Sequence, residues 1–451
     1  MITVPVNTTN NFLKDIVNLV SLPFDEKLIH QTKRCLMDYL GSTVAGATML
    51  GHRSKTMIDE LHSGDDCTLI GFGQQADMYT AAFINGFSSH IAELDDGVIS
   101  GIIHPGAPIL SALLPVAEKY SCSFEKLLQG IVAGYETSVR LANTIQPSHK
   151  KRGYHATATC GLIGAAVAIG VMRDFSFPEL KATFAVASAS SHGTLKVLED
   201  NSELKPFNVA TAAANALTAS IVGKAGFNVP NDPLSGDSGF FAQNTDDFDL
   251  NQLFRHKNTE PLIFDVYVKP YAACRYCHPS IDNALKLGQT HSLNANEIKS
   301  ILIRTYSLAV NKHDHTDVQN VTSAKMSIPF ATAVSLLHGK SGIEDYTDET
   351  IKDSAIVGLM KKIRVESNPS YSEVFPNKSI ADMEVEMIDG TKFYEYTDLP
   401  KGESMAPLSD KEMEEKFLSL ARYAGVVNPQ DIVDKINSDH PNIKQILKLL
   451  S

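Results

Sequence analysis

The sequence has no excess of positive charge. It contains 40 Lys and Arg residues against 52 Asp and Glu residues, a formal net charge of −12 at pH 7. Such a chain is a poor general partner for nucleic acid or for an anionic membrane, because both attract basic proteins. We therefore expect neither partner. An anionic substrate would need a pocket that is locally basic against this acidic background.

The sequence also lacks a long hydrophobic run and has few cysteines. The most apolar stretch, residues 156–172, is short for a membrane span and holds small and polar residues, so we expect a buried helix there. The start of the chain lacks the basic and apolar segments of a secretory signal. Six irregularly spaced cysteines fit a reducing compartment. These observations predict a cytoplasmic protein.

One cysteine pair has the spacing of a metal or redox motif. Cys274 and Cys277 form a CxxC, but no second pair accompanies them. We therefore expect no metal site. A zinc enzyme that uses this pair together with a histidine remains an alternative, and it requires stoichiometric metal in the purified protein.

The length of 451 residues predicts two or three domains. Apolar residues recur at helical spacing from the start to about residue 260, and again in the tail. Between these regions lie β-branched strands at 300–307 and 362–367, a hairpin around Asp389 and Gly390, and short helices, one of them expected at 296–300. The prediction is a mainly α protein. Residues 1–262 and 400–451 form a large helical domain from both chain ends, and residues 263–399 form a smaller α+β lid domain.

Three histidines share a local pattern, in which a loop presents the imidazole just before an apolar helix: His104, His155 and His278. His104 follows an acidic loop that contains Glu93 and Asp96. A helix N-terminus disfavours an imidazolium, so His104 is expected to be neutral and available as a base. Three such histidines in one chain indicate a shared site.

Basic residues accompany these histidines. Arg152 precedes His155, Lys269 and Arg275 precede His278, and Lys205 opens an Ala-rich helix. A cleft with such cations suits a substrate that carries two or three carboxylates. Removing a proton next to a carboxylate needs a base, cations that hold the developing charge, and an acid for a leaving hydroxyl. Either His104 or His155 can be the base, with the other and Lys205 as acid or electrostatic support. The predicted substrate-binding residues are Asp96, Arg152, Lys269 and Arg275.

Seven stretches carry a family resemblance over nearly the whole chain: residues 35–47, 93–118, 153–169, Lys205 with its helix, 226–240, 269–285 and 324–340. In this order they resemble the MmgE/PrpD family, which includes 2-methylcitrate dehydratase, cis-aconitate decarboxylase and iminodisuccinate epimerase. The resemblance implies a helical domain built from both chain ends, a smaller lid, a homodimer, and a polar site between the domains without metal or organic cofactor.

The resemblance also implies the catalytic residues. The matching positions are Glu93, His104, His155, Lys205 and His278. The chain departs from the family at two nearby positions, because a histidine often found three residues after the lysine is Asn208 here and a following glycine is Ala210. The acidic loop is also one residue longer than in the decarboxylases.

Two interpretations from different classes follow. The first is a lyase that acts on a small di- or tricarboxylate, most similar to 2-methylcitrate dehydratase and active in propionate catabolism, with cis-aconitate decarboxylation or dicarboxylate epimerisation as alternatives. The second is a catalytically silent member that binds a carboxylate as a sensor or assembly component. The Asn208 departure motivates the second interpretation, whereas the complete set of histidines and lysine favours the first.

Overall fold

The computed structural model describes residues 7–61, 63–199, 202–254 and 259–451. The chain divides into two compact units. The helical unit comprises the described residues of Met1–Glu199, Leu204–Val266 and Asp410–Ser451, and the mixed unit those of Asp200–Glu203 and Tyr267–Ser409. Helices account for most of the described elements, so the predicted mainly α class is confirmed. The domain boundaries predicted from the sequence stay predictions.

Most helices of the helical unit, and one short antiparallel hairpin, precede the mixed unit in the chain. In chain order these elements are α1 (Thr8–Ser21), α2 (Glu26–Leu50), α3 (His52–Leu61), β1 (Cys67–Leu69), β2 (Gln74–Ala76), α4 (Met78–Ile91), α5 (Gly106–Tyr120), α6 (Phe124–Ile145), α7 (Ser148–Lys151), α8 (Ala156–Met172), α9 (Phe177–Ser190), α10 (Lys205–Lys224), α11 (Phe240–Asn244) and α12 (Leu250–Leu253). The hairpin was not predicted from the sequence.

The apolar segment 156–172 is the buried helix that its composition predicts. Nearly every residue of α8 is buried, and α5, α6 and α10 pack around it. Small residues allow these close approaches: a Cβ atom at Gly164 would lie 2.7 Å from the carbonyl oxygen of Gly134 on α6. The residue that precedes α8, His155, is thereby held at the edge of a tightly packed core.

A second close approach joins α4 to α10. A Cβ atom at Gly86 would lie 2.9 Å from Cα of Ala210. Ala210 lies one and a half turns after Lys205, the first residue of α10, and Gly86 lies about one turn before His90. This crossing therefore brings the end of α4 to the start of α10.

The mixed unit contains a four-stranded sheet with helices. Its elements are α13 (His278–His291), β3 (Ile298–Thr305), α14 (Ser307–Val310), α15 (Val321–Met326), α16 (Ile328–His338), α17 (Ser354–Met360), β4 (Ile363–Ser367), α18 (Pro369–Val374), β5 (Ala381–Met387) and β6 (Lys392–Thr397). The strand order is β4-β3-β5-β6, with β3 and β4 parallel and the other pairs antiparallel. The predicted hairpin around Asp389 and Gly390 is confirmed as β5 and β6, with φ of 87° at Gly390.

One predicted helix is wrong. The segment 296–300 was expected to be helical, but a single 3₁₀ turn over Ala295–Glu297 leads directly into β3 at Ile298. Ile301 and Ile303 are buried in β3 and lie between partners on β4 and β5. Pairing on both edges and burial of β-branched side chains outweigh the local helical signal.

The chain ends with three helices that belong to the helical unit, α19 (Asp410–Tyr423), α20 (Pro429–Asn437) and α21 (Ile443–Lys448). Lys416 of α19 donates to the carboxylate of Asp38 on α2 and, at 2.8 Å, to the backbone carbonyl of Leu94 in the loop that follows α4. Within the ranges that the structure describes, no helix combines the length and the apolarity that a membrane crossing requires.

Candidate active site

The loop after α4 carries the first site residue. Asp77 caps α4 by accepting from the backbone N–H groups of Tyr79 and Thr80, and the helix ends at Ile91. Two residues later Glu93 adopts a left-handed backbone conformation, with φ of 55°. A left-handed conformation is uncommon for a residue other than glycine and is often found at functional sites.

Glu93 and Lys205 form a buried ion pair. Lys205 is the first residue of α10, followed by Pro206, whose missing N–H is tolerated at this position. Its Nζ donates to Oε1 of Glu93, and the two side chains are only 9% and 4% exposed. The sequence placed both residues in the site, and the structure joins them across 112 residues of chain.

His104 lies just before α5, as its sequence context predicts. Pro105 is the N-cap and α5 begins at Gly106. The Nδ1 atom of His104 is 2.6 Å from the backbone carbonyl oxygen of Asp96. Because a carbonyl only accepts, Nδ1 must carry the hydrogen, and in the neutral ring the lone pair is then on Nε2. His104 is thus arranged as a base at Nε2.

Asp96 supports the loop that carries His104. Its carboxylate accepts from the hydroxyl of Tyr135 at 2.5 Å and from the backbone N–H of Gly106 at 3.0 Å. Burial raises the pKa of the Asp96 carboxyl to about 7, and the nearby carboxylates of Asp38 and Asp95 act in the same direction, whereas the bond from Tyr135 opposes the rise. Its predicted role in substrate binding stays a prediction.

The raised pKa of Asp96 predicts a pH dependence of stability. The folded state keeps a proton that the unfolded state releases above its ordinary pKa of 3.8, so stability falls as the pH rises from about 4 to 7 and then levels off. In Asp96→Asn this contribution is absent. We expect the free energy of unfolding of the wild type, relative to the variant, to fall over this range with a slope of up to about 1.4 kcal/mol per pH unit.

Urea denaturation at a series of pH values measures this slope. Asp15→Asn is the matched control, since Asp15 is exposed on α1. Parallel stability curves for the wild type and Asp96→Asn would show that Asp96 does not titrate in this range.

His155 is the N-cap of α8 and is buried, with 6% exposure. Its backbone N–H donates to the carbonyl of Gly193 at 3.0 Å. Burial lowers the pKa of His155 well below its ordinary value, and the neighbouring His90, Lys205 and His104 lower it further, while Glu93 raises it. His155 is therefore neutral near pH 7.

Sequence reasoning missed one histidine of this group, His90. Its Nδ1 lies 2.7 Å from Oδ2 of Asp95, and its ring is 5.1 Å from that of His104 and 5.9 Å from that of His155. Its Nε2 is buried and has no hydrogen-bond partner among the residues that the structure describes. His90 lies inside a helix rather than before one, and its only sequence signal is the acidic loop that follows. We call His90, His104 and His155, with Glu93 and Lys205, the histidine cluster.

The mixed unit holds the other predicted site residues. His278 is the first residue of α13 and is fully buried. Its Nδ1 accepts from Arg275 at 2.8 Å, and its Nε2 donates to the carbonyl of Ala273 at 3.1 Å. Arg275 also forms a buried ion pair with Glu403 at 2.6 Å, and Lys269 is fully buried. The catalytic role of His278 and the substrate-binding roles of Arg275 and Lys269 stay predictions.

Arg152 forms an ion pair outside the histidine cluster, and its predicted role in substrate binding stays a prediction. Its guanidinium is 3.2 Å from the carboxylate of Asp246, with 32% of the Arg152 side chain exposed. Cys274 and Cys277 are not joined in a disulfide bond. Among the described residues, no group of three or more His, Cys, Asp or Glu side chains is arranged to hold a metal ion.

Similar proteins are found along most of the chain. "Cis-aconitate decarboxylase" of Mus musculus is 23% identical over 437 residues, which cover 92% of this chain and 87% of that protein. The protein of the same name from Homo sapiens is 24% identical over 447 residues, with the same coverage of both chains. "2-Methylcitrate dehydratase, mitochondrial" of Yarrowia lipolytica (strain CLIB 122 / E 150) is 32% identical, but over 111 residues, 24% of this chain and 21% of that protein.

Family profiles match both halves of the chain. The MmgE/PrpD N-terminal domain matches residues 16–253, which include the histidine cluster, and the MmgE/PrpD C-terminal domain matches residues 271–438, which include Arg275 and His278. The similar proteins named above are decarboxylases and a dehydratase, and both classes are lyases. The chain belongs to the MmgE/PrpD family.

Proposed function

We propose that the protein is a lyase that acts on a small tricarboxylate by removing a proton next to a carboxylate. The observation that carries this proposal is the histidine cluster, in which a base with a fixed tautomer, a neutral imidazole and a buried lysine–glutamate pair belong to one site. Abstraction of a weakly acidic proton requires this combination of a base and fixed charges that hold the negative charge as it develops.

His104 is the proposed base. In a dehydration the C–H bond breaks and its proton moves to Nε2 of His104. The electron pair forms the C=C bond as the C–O bond breaks, the departing hydroxide takes up a solvent proton to leave as water, and His104 then releases its proton to solvent. The hydrogen bond from Nδ1 to the Asp96 carbonyl holds the ring, and Asp95 Oδ2, at 3.5 Å from Nδ1, offsets the positive charge that His104 acquires.

Lys205 is the proposed anchor for a substrate carboxylate. Its ammonium group is nearly buried, so its interaction with an anion is weakly screened by solvent. Glu93 holds the lysine in place and balances its charge while no substrate is bound. The carboxylate of Glu93 already accepts from the ammonium group of Lys205. A substrate carboxylate would therefore share the N–H donors of Lys205 with Glu93.

A hydroxy acid similar to 2-methylcitrate is the first candidate substrate, and dehydration the first candidate reaction. Decarboxylation of cis-aconitate is the second candidate, favoured by the relatives of that name that cover 92% of the chain. In that reaction the C–C bond to one carboxylate breaks, carbon dioxide leaves, and the electron pair left on the substrate takes up a proton that solvent supplies through His104. Both candidates are tricarboxylates that pass through a carbanion-like state.

Proton NMR in D₂O tests the proposal, with racemic 2-methylcitrate, citrate and cis-aconitate in separate samples. Loss of water identifies a dehydratase, itaconate identifies a decarboxylase, and deuterium in an unchanged substrate shows that the base is active. The His104→Gln variant is the control for enzyme-independent change. No change in any sample, together with a higher melting temperature in citrate, would replace the proposal with a non-catalytic carboxylate binder, since a ligand at a hundred times its Kd adds about 2.7 kcal/mol without turnover.

A further inference from the structure

We propose that Asn208 is a positioning residue that holds His155 as a neutral imidazole with its hydrogen on Nε2, so that His155 donates a hydrogen bond to the substrate and His104 alone acts as the base. This inference rests on the proposed function for its catalytic part. Its structural part is the tautomer of His155, which follows from the contacts of Asn208 and does not depend on the proposed function.

The side-chain amide of Asn208 has a defined orientation. Its Nδ2 is 3.1 Å from the backbone carbonyl oxygen of Thr194 and 3.3 Å from Nδ1 of His155. The reverse orientation would place the amide oxygen against the Thr194 carbonyl, and two acceptors would then face each other. The carbonyl of Thr194 therefore fixes the amide nitrogen toward His155, and Asn208 is only 4% exposed, which limits competition from solvent.

The tautomer of His155 follows from this orientation. An amide NH₂ group only donates, so Nδ1 of His155 must accept and cannot carry a hydrogen. In the neutral ring the hydrogen is then on Nε2. His104 has the opposite arrangement, because its Nδ1 donates to the Asp96 carbonyl and its Nε2 keeps the lone pair. The two neighbouring imidazoles thus differ in which nitrogen can donate.

The surroundings of His155 keep the ring neutral. His90, Lys205 and His104 act on it as positive or potentially positive groups, and Glu93 as the opposing carboxylate. Burial is the largest of these effects and the three groups act in the same direction, so the pKa of His155 is lowered despite Glu93. A second proton on His155 would also remove the acceptor that Asn208 uses. Asn208 and the charge environment therefore favour the same state of the ring.

A neutral N–H donor has a defined use in this reaction. It can stabilise the negative charge that develops on a substrate carboxylate without itself giving up a proton, and it costs no reorganisation because the ring is already fixed. With the hydrogen on Nδ1 instead, His155 and His104 would both offer an acceptor and the site would lose this donor. With the hydrogen on Nε2, His155 is a donor and His104 an acceptor. Asn208, a departure from the family pattern, is the residue that gives the two histidines these different roles.

The tautomer is measured directly on the wild type without substrate. In protein labelled with ¹⁵N histidine, two-bond ¹⁵N–¹H correlation spectra near neutral pH distinguish the two neutral tautomers, and the His155 signals are those that disappear in His155→Gln. We expect a protonated Nε2 and an unprotonated Nδ1. A protonated Nδ1 in the wild type overturns the inference, whatever the activity.

Two variants of similar shape test the positioning role. Asn208→Asp replaces the donor with an acceptor, so it should move the hydrogen of His155 to Nδ1, raise the pKa of the ring and lower kcat by about tenfold or more, with a smaller effect on KM. Asn208→Leu removes the donor without adding charge and should give mixed tautomers and an intermediate kcat. Both variants are also compared by their kcat–pH profiles, because the Asp variant should add a titration that the Leu variant lacks.

The outcomes separate this inference from the proposed function. A reversed tautomer in Asn208→Asp with unchanged kcat overturns the positioning role. An Nε2–H tautomer in the wild type with no reaction of any tricarboxylate overturns the proposed function and leaves the tautomer assignment standing. Should the Asp variant not fold, the wild-type spectrum and the Leu variant still decide the question.

Discussion

Replacing His104 with glutamine is expected to lower kcat by about a hundredfold or more, the usual contribution of a general base. Glutamine is similar in size and can still donate a hydrogen bond to the Asp96 carbonyl, but it has no nitrogen that takes up a proton. The backbone N–H of residue 104 would still donate to Oγ1 of Thr157, so the loop should keep its position. The loss is therefore expected in kcat rather than in stability.

Steady-state kinetics on the substrate identified by NMR, with melting temperatures for each variant, measure this effect. His440→Gln is the matched control, because His440 is exposed in the helical unit. Near-normal turnover by the His104 variant would mean that another group takes the proton. His90, whose buried Nε2 lies in the same cluster, would then be the next base to test.

Replacing Lys205 with methionine is expected to raise KM strongly and to lower the free energy of unfolding by roughly 3 kcal/mol or more. Methionine keeps most of the length of the side chain but leaves the buried Glu93 carboxylate without the lysine cation that compensates it. Loss of the carboxylate anchor weakens substrate binding, whereas uncompensated burial of charge weakens the fold. Both effects arise from the same ion pair.

A double variant separates these two effects. In Glu93→Gln with Lys205→Met the buried charge is gone, so much of the lost stability should return, while KM should remain high. Lys119→Met is the control, because Lys119 and Asp66 form a solvent-exposed pair at 2.8 Å, and exposed pairs contribute little to stability. An unchanged KM in Lys205→Met would remove the lysine from substrate binding, even if stability fell as expected.

Periodicity predicted helices such as α1, which buries Phe12, Ile16 and Val20 at helical spacing, whereas apolar composition predicted α8, of which nearly every residue is buried. Periodicity also predicted the β5–β6 hairpin, since the turn residues and the alternation agree. It failed at residues 296–300, where pairing partners far along the chain decide the structure. The hairpin of β1 and β2 is only three residues per strand and was too short to detect.

The site residues that have a local signal in the sequence were predictable, and those that lack one were not. A histidine before a helix is a local signal, so His104, His155 and His278 were found, and the structure places the first two close to one another. His90 lies inside a helix, and His104 and His155 come close to it only on folding, so the acidic loop that follows it was its only sequence signal. The ion pair of Arg152 with Asp246 and the hydrogen bonds within the mixed unit that occupy both ring nitrogens of His278 were equally invisible in the sequence. The homodimer and the absence of a cofactor stay predictions.

The hydrogen bond from Lys416 to the carbonyl of Leu94 bears on how the protein is made. The loop that carries Glu93 is synthesised 322 residues before the lysine that supports it, and the whole mixed unit is synthesised in between. At translation rates of 5–20 residues per second this interval lasts roughly 20 to 60 seconds. During that time the helical unit lacks α19, and the apolar surface that Phe417 and Leu420 later cover is exposed to water. The helical unit therefore stays incomplete until the last part of the chain has been synthesised.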